Sequence, residues 1–208
     1  MVEQKEISKS NESEKKEDRA TIMGYYLPTN PLVIALIGIF GALIFVITFY
    51  IQIPIPATQG ILNLGDAAVM LTGLLFGPVV GGLAGGIGSC LADVILCPIY
   101  MPATLIIKGL EGFIVGFIAD PKRTHKRINY RDILAVVVGG LIMVFGYLIY
   151  EIILFGVAAA FVEVILNGFV QYAGGMAVSL LLTIPIRKNL TQALPQVFDN
   201  VFIETKSE

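Results

Sequence analysis

Charged side chains are missing from most of this sequence, and the gaps between them are long. Between Pro31 and Pro121 the acidic and basic residues are Asp66, Asp93, Lys108, Glu111 and Asp120; between Ile133 and Ile186 they are Glu151 and Glu163. A helix that crosses a bilayer needs about 20 consecutive, mostly apolar residues. Successive stretches of that kind restrict the chain to a polytopic membrane protein, because a soluble domain could not cover so apolar a surface with polar groups. Composition agrees: of 208 residues, 56% are hydrophobic and 14% charged, with a mean hydropathy of +0.81.

The apolar runs predict helices. Pro31 to Ile51 is a first span, followed by a polar, proline-containing link, QIPIPATQGILN, over 52–63. Leu64 to Gly77 is short for a span, at roughly 21 Å of helix. Gly77-Pro78 breaks it, and Val79 to Leu96 is the third run. A tight turn over 97–101 leads to a fourth helix, Pro102 to Ala119, with proline well placed at its start. A loop over 120–132 precedes the fifth helix, Ile133 to Phe155. Gly156 to Ile186 is too long for one straight span; an interfacial turn near 158–163 is expected before a sixth helix that runs to about Ile184. The expected fold is all-α, a bundle of six transmembrane helices. A disordered cytoplasmic tail is expected over 1–25, the membrane domain over 26–190 and a second cytoplasmic tail over 191–208.

Basic residues orient the bundle. Five lie in the amino-terminal tail (Lys5, Lys9, Lys15, Lys16, Arg19) and five in the loop between spans four and five (Lys122, Arg123, Lys126, Arg127, Arg131). Three more, Arg187, Lys188 and Lys206, follow span six, while the links near 52–63, 97–101 and 156–160 hold none. By the positive-inside rule both termini are cytoplasmic. A cell-membrane location follows, with lipid around the bundle and no nucleic acid as partner.

The charges inside the runs are costly in hydrocarbon and so mark candidate sites. Asp66 falls in the first turn of span two and Asp93 in the last turn of span three. Lys108 and Glu111 lie about 9 and 13 Å inward on span four. Glu151 is near the outer end of span five, and Glu163, Asn167 and Gln171 recur every four residues as one polar stripe. All fall in the outer half, where polar groups at a common depth line a cavity. The candidate substrate-binding residues are Asn63, Asp66, Asp93, Lys108, Glu111, Tyr147, Glu151, Asn167 and Gln171. Five carboxylates against one ammonium suit a cationic ligand or one with several donors. Plainer readings compete. Asn63 and Asp66 have capping-box spacing, Lys108 and Glu111 can neutralise each other at three residues apart, Asp93 can be a solvated helix end, and Glu163 an exposed loop residue.

Small residues recur as well. Gly81, Gly85 and Ser89, and Gly82, Gly86 and Cys90, have the four-residue spacing that lets membrane helices approach closely. In span one, Ala35, Gly38, Gly41 and Ala42 form a similar face, open to internal packing or to a partner protein. Cys90 and Cys97 are two helical turns apart, roughly 10 Å, too far for a disulfide. His125 is the lone histidine, so no metal site or cofactor is expected. The chain has no P-loop, no Gly-x-Ser-x-Gly elbow and no His-Glu-x-x-His motif, so neither ATP hydrolysis nor an enzyme activity is expected of it.

The stretch NLGDAAVMLTGLLFGPVVGGLAGGIGSCLAD, followed by PATLIIKGLEGFIVGFIAD, resembles the substrate-binding S components of energy-coupling factor (ECF) transporters, in the riboflavin-type branch. The likeness covers about Pro31 to Lys188. It implies a six-helix subunit that binds a small vitamin or precursor of riboflavin, pyrimidine or pyridine type from outside. The site would lie beneath the loop between spans one and two, and the subunit would then topple in the membrane to release its ligand. The implied partners are a transmembrane coupling protein and two ATPases. The family's Ala-xxx-Ala docking motif maps onto Gly38 and Ala42, with Gly as a departure. Without tryptophan, ring stacking would fall to Tyr100, Tyr147, Tyr150 or Tyr172. The competing readings are an autonomous proton-coupled secondary transporter, which the absence of an inverted repeat disfavours, and an intramembrane enzyme, which has no nucleophile–base pair to support it.

Overall fold

The computed structural model describes residues 21–22, 24–56, 58–122, 128–193 and 201. Its helices are α1 (Pro31–Tyr50), α2 (Gly65–Phe76), α3 (Pro78–Leu96), α4 (Met101–Ala119), α5 (Tyr130–Phe155), α6 (Val157–Leu166) and α7 (Ala173–Ala193). A π-helical segment, Asn167–Tyr172, joins α6 to α7. Five helical stretches are long and apolar enough to cross a membrane: α1, α3, α4, α5 and the continuous run Val157–Leu190. Isoleucines and leucines such as Ile39, Ile106, Ile153 and Leu181 stay exposed on their outer faces, as a lipid-facing surface requires. The expectation of an all-α polytopic membrane protein fits this bundle.

Two short hairpins accompany the helices, and neither was expected. The link over 52–63 is a β-hairpin, β3 (Gln52–Ile55) with β4 (Gly60–Asn63), paired Gln52 to Asn63 and Ile55 to Gly60. Pro54 lacks an N–H, which a two-stranded ribbon with open edges tolerates. At the other end of the bundle β1 (Thr21–Ile22) pairs with β2 (Tyr25–Tyr26). Tyr25 and Tyr26 are buried, so the expected tail over 1–25 runs into packed structure at its end. The end of the membrane domain, expected at 190, likewise falls inside α7.

The short second helix explains the first hairpin. Twelve residues of α2 give about 18 Å, roughly half a bilayer, and every one of them is buried. The depth that α2 leaves unfilled is taken by Tyr25 and Tyr26, which cluster with Leu71, Leu75 and Phe76 of α2, Val33 of α1 and Val201. The turn after α2 requires glycine twice over: Gly77 has φ +83°, and a side chain there would run into the Tyr25 ring.

Glycine also sets the spacing of α3. On one face its backbone meets that of α4: a Cβ on Gly81 would come 2.6 Å from the Gly112 carbonyl, and one on Gly86 2.8 Å from the Leu105 carbonyl. On another face Gly88 abuts the Gly41 carbonyl of α1. The small-residue pattern therefore serves internal packing on two sides, and van der Waals contact holds it.

Arg187 departs from its sequence reading as a charged marker after span six. It is 2% exposed and grips the carboxylate of Asp132 with Nη1 and Nη2 at 2.8 and 2.7 Å. Nη2 also donates to the Leu74 carbonyl at 2.7 Å. That carbonyl belongs to the last turn of α2, where no intrahelical donor remains. Asp132 meanwhile caps α5 by accepting from the Asn129 N–H at 2.9 Å. Nearby, Tyr25 donates to Asp120 at 3.0 Å, and Lys122 and Arg131 approach the same carboxylate at 3.7 and 3.6 Å. Burial, and then the Asp120 charge, push the Tyr25 hydroxyl above its ordinary range. Residues 1–20 and 123–127, which hold most of the other orienting basic residues, lie outside the described part.

The last correction concerns 158–163, expected as an interfacial turn. It is helical, within α6, and continues through the π-helical segment into α7.

Candidate functional site

One face of α4 and the turn before it organises the polar interior. Tyr100, Thr104, Lys108 and Glu111 are spaced by four, four and three residues, so they share a face and descend from the β3–β4 end of the bundle. All four are buried.

The upper part of this ladder faces a small polar cavity, lined by Gly60, Ile61, Asn63, Asp93, Cys97, Tyr100, Tyr147, Glu151, Glu163 and Gln171. The hairpin closes its top. Tyr100 donates to the Thr58 carbonyl at 3.1 Å, and a Cβ on Gly60 would come 2.6 Å from Glu163 Oε1, so a side chain there would block the site. Gln171, in the π-helical segment, accepts from the Asn63 N–H at 2.8 Å and ties the hairpin to that side. Such segments interrupt the regular helical ladder and recur at functional sites.

The walls are acidic and hydroxyl-rich. Thr104 donates to Asp93 Oδ2 at 2.5 Å and lies 2.8 Å from the Tyr147 hydroxyl. Tyr100 reaches Glu151 Oε1 at 3.4 Å, and burial pushes the Tyr100 hydroxyl well above its ordinary range, which keeps it a donor. Asp93, Glu151 and Glu163 are 6%, 1% and 2% exposed. Asp93 is thus a buried, hydrogen-bonded group rather than a solvated helix end, and Glu163 is helical and buried rather than an exposed loop residue.

Below the cavity lies a separate ionic layer. Lys108 Nζ contacts Asp66 Oδ1 and donates to Glu111 Oε2 at 3.1 Å, with all three side chains at 3% exposure or less. It also sits 5.5 Å from the centre of the Tyr147 ring, so Tyr147 separates the two layers. Capping of α2 does not involve Asp66. The Asn63 side chain accepts from the Gly65 N–H at 2.8 Å instead, and Asp66 turns to Lys108.

Of the nine expected substrate-binding residues, Asn63, Asp93, Tyr147, Glu151 and Gln171 line the cavity, and Asp66, Lys108 and Glu111 form the layer beneath. The Asn167 side chain lies outside the described part. Thr58, Gly60, Cys97 and Thr104 were not singled out, although Thr104 and Tyr100 are four and eight residues before Lys108. That helical spacing was the available signal; uncharged hydroxyls simply do not stand out in an apolar run. Among the stacking candidates, Tyr150 and Tyr172 commit their hydroxyls to the Ile99 and Val137 carbonyls at 2.5 and 2.9 Å, leaving Tyr100 and Tyr147 on the cavity. Among the described residues no group of three or more His, Cys, Asp or Glu is arranged to hold a metal ion.

On α1 the small residues divide. Ala35, Gly38 and Ala42 are exposed, and nothing lies within 4 Å of a Cβ placed on Gly38. Gly41 is buried against α3. The exposed face borders a groove shared with α3, lined by Ile34, Ile37, Phe45, Ile87, Leu91 and neighbouring residues.

Comparison with known proteins places this architecture. A Pyrococcus woesei protein, "uncharacterized protein in gap 3'region", is 46% identical over 133 residues, 64% of this chain and 86% of that protein. A UPF0397 protein of Streptococcus gordonii is 34% identical over 95 residues, 45% of this chain and 51% of that protein. A Streptococcus pneumoniae UPF0397 protein is 32% identical over the same length and covers 45% of this chain and 52% of that protein. Residues 29–192 match the family described as the S component of the ECF-type riboflavin transporter, a transporter and not an enzyme family. The chain belongs to this family of multi-pass membrane proteins, the substrate-binding subunits of ECF transporters.

Proposed function

We propose that this subunit captures a small water-soluble vitamin or vitamin precursor outside the cell, in the cavity beneath the β3–β4 hairpin. It then hands the ligand to a transmembrane coupling protein driven by two ATPases. The observation that carries this reading is a polar cavity at one end of an otherwise apolar bundle, roofed by a hairpin instead of a helix. Lifting the hairpin would break the Tyr100–Thr58 and Asn63–Gln171 hydrogen bonds but no helical backbone pairing, which gives the ligand an entry route. Both termini are cytoplasmic in this reading, and the hairpin faces outside, as the basic residues favour. Docking uses the exposed Ala35, Gly38 and Ala42 of α1, where a partner helix can approach closely without first displacing side chains.

The test separates binding from delivery. Gly38→Leu with Ala42→Leu fills the exposed face and leaves the cavity lining untouched. The double variant is expected to bind ligand like the native protein but to lose ATP-dependent uptake and co-purification with the coupling subunit. Uptake and partners retained together would remove the docking assignment. Uptake by the purified chain alone in proton-loaded vesicles would favour the autonomous transporter instead.

A further inference from the structure

We propose that the cavity is built for a small organic cation carrying N–H donors, and not for a neutral flavin-like ring. This rests on the reading of the cavity as the ligand site. Three helices each send one carboxylate to it, Asp93 from α3, Glu151 from α5 and Glu163 from α6. No Lys, Arg or His is among its described lining residues. The ammonium nearest to this layer, Lys108, is engaged below by Asp66 and Glu111 and cannot neutralise the walls as well. Three carboxyl groups facing one small volume repel one another when ionised, unless they share protons, as the Glu151–Glu163 pair does, or positive charge enters between them.

A second observation points to what is missing. Glu151 is 1% exposed, and its Oε2 has no hydrogen-bond partner among the described residues. Its carboxyl pairs with that of Glu163, and its Oε1 receives a 3.4 Å hydrogen bond from Tyr100. A buried carboxylate oxygen left without a donor is costly, so a ligand that supplies the donor gains from the pairing. The Tyr100 and Tyr147 rings, with centroids 6.1 Å apart and inclined at 56°, add aromatic surface that attracts cations.

The alternatives fit less well. A metal ion would need ligands converging at short range, and no such group exists among the described residues. A flavin ring presents mainly carbonyl and imine acceptors along its polar edge and would set acceptor against carboxylate. An amine, amidine or charged nitrogen heterocycle answers the charge and donor requirements together.

Binding to the purified full chain in nanodiscs can be measured with two charged probes, thiamine and N1-methylnicotinamide, and two neutral ones, riboflavin and nicotinamide. At least one cation is expected to bind about tenfold or more tighter than both neutral probes. Glu151→Gln should weaken that cation by about tenfold or more. Asp93→Asn serves as a second variant should Glu151→Gln fail to fold. A neutral probe that binds as tightly as the cations, cation binding indifferent to both substitutions, or no binding by any of the four would overturn the charge assignment. Riboflavin bound tightly and taken up with ATP would sink this inference and leave the S-component reading standing. A cation bound tightly but transported without ATPases would do the reverse.

Discussion

Arg187 should be the most stability-sensitive position at its end of the bundle. It makes three charge-assisted hydrogen bonds of 2.7–2.8 Å, two to Asp132 and one to the Leu74 carbonyl, in a site where both charged side chains are 2% exposed. Arg187→Met keeps most of the volume but strands a buried carboxylate and an unpaired α2 carbonyl. Removing one partner of a buried pair costs about 3–5 kcal/mol. In a chain of this size that lowers the melting temperature by about 6–20 °C. Asp132→Leu should cost more, because Asp132 also accepts from the Asn129 N–H, and a lost helix cap adds about 1 kcal/mol. The double variant should recover part of the loss, since an apolar pair of similar volume often replaces a buried ion pair without penalty. Thermal unfolding of the four proteins in one detergent gives the coupling term directly. If each single change lies within about 0.5 kcal/mol of the native protein, or if the two effects merely add, Arg187 is not the clamp described here.

Two further outcomes follow from the packing and the hairpin. Gly88→Leu, which drives a side chain into the Gly41 carbonyl of α1, should lower stability by several kcal/mol, as forced overpacking does, roughly 1–3 or more; Gly38→Leu, facing open space, should leave the melting temperature nearly unchanged, and equal effects at both sites would remove the distinction between packed and open faces of α1. In a background without Cys90 and Cys97, a single cysteine at Gln59, on the hairpin turn, should react with an impermeant reagent from outside, whereas one at Lys126 should not; the opposite pattern reverses the orientation.

Some parts of the site were legible in spacing. Tyr147 and Glu151 are four residues apart in a run with no other charge, and helical periodicity alone puts them on one face. The Gly81/Gly85 and Gly82/Gly86 pairs were legible as close-packing surfaces for the same reason. Asp66 was not decidable that way. Capping and ion pairing were both open to it, and the choice lay with Lys108, 42 positions later, which no local pattern links to it. Glu163 read equally well as loop or helix until its neighbours closed over it. The link over 52–63 looked like a proline-containing connection because two short strands with few alternating positions carry little periodic signal.

What the sequence by itself determined is the class of protein, its apolar helices and the faces on which polar groups recur. Bilayer thickness sets the length of an apolar run, and the 3.6-residue turn sets which residues share a side. Only the tertiary structure decided which of those groups meet. It separates the cavity carboxylates from the Asp66–Lys108–Glu111 layer, makes Arg187, one of the orienting charges, a buried clamp, and fills the space beneath the half-length α2 with Tyr25 and Tyr26. Those outcomes depend on contacts between residues far apart in the chain. A buried charge takes whichever counter-charge the packed helices bring within reach, and sequence spacing carries no record of that distance.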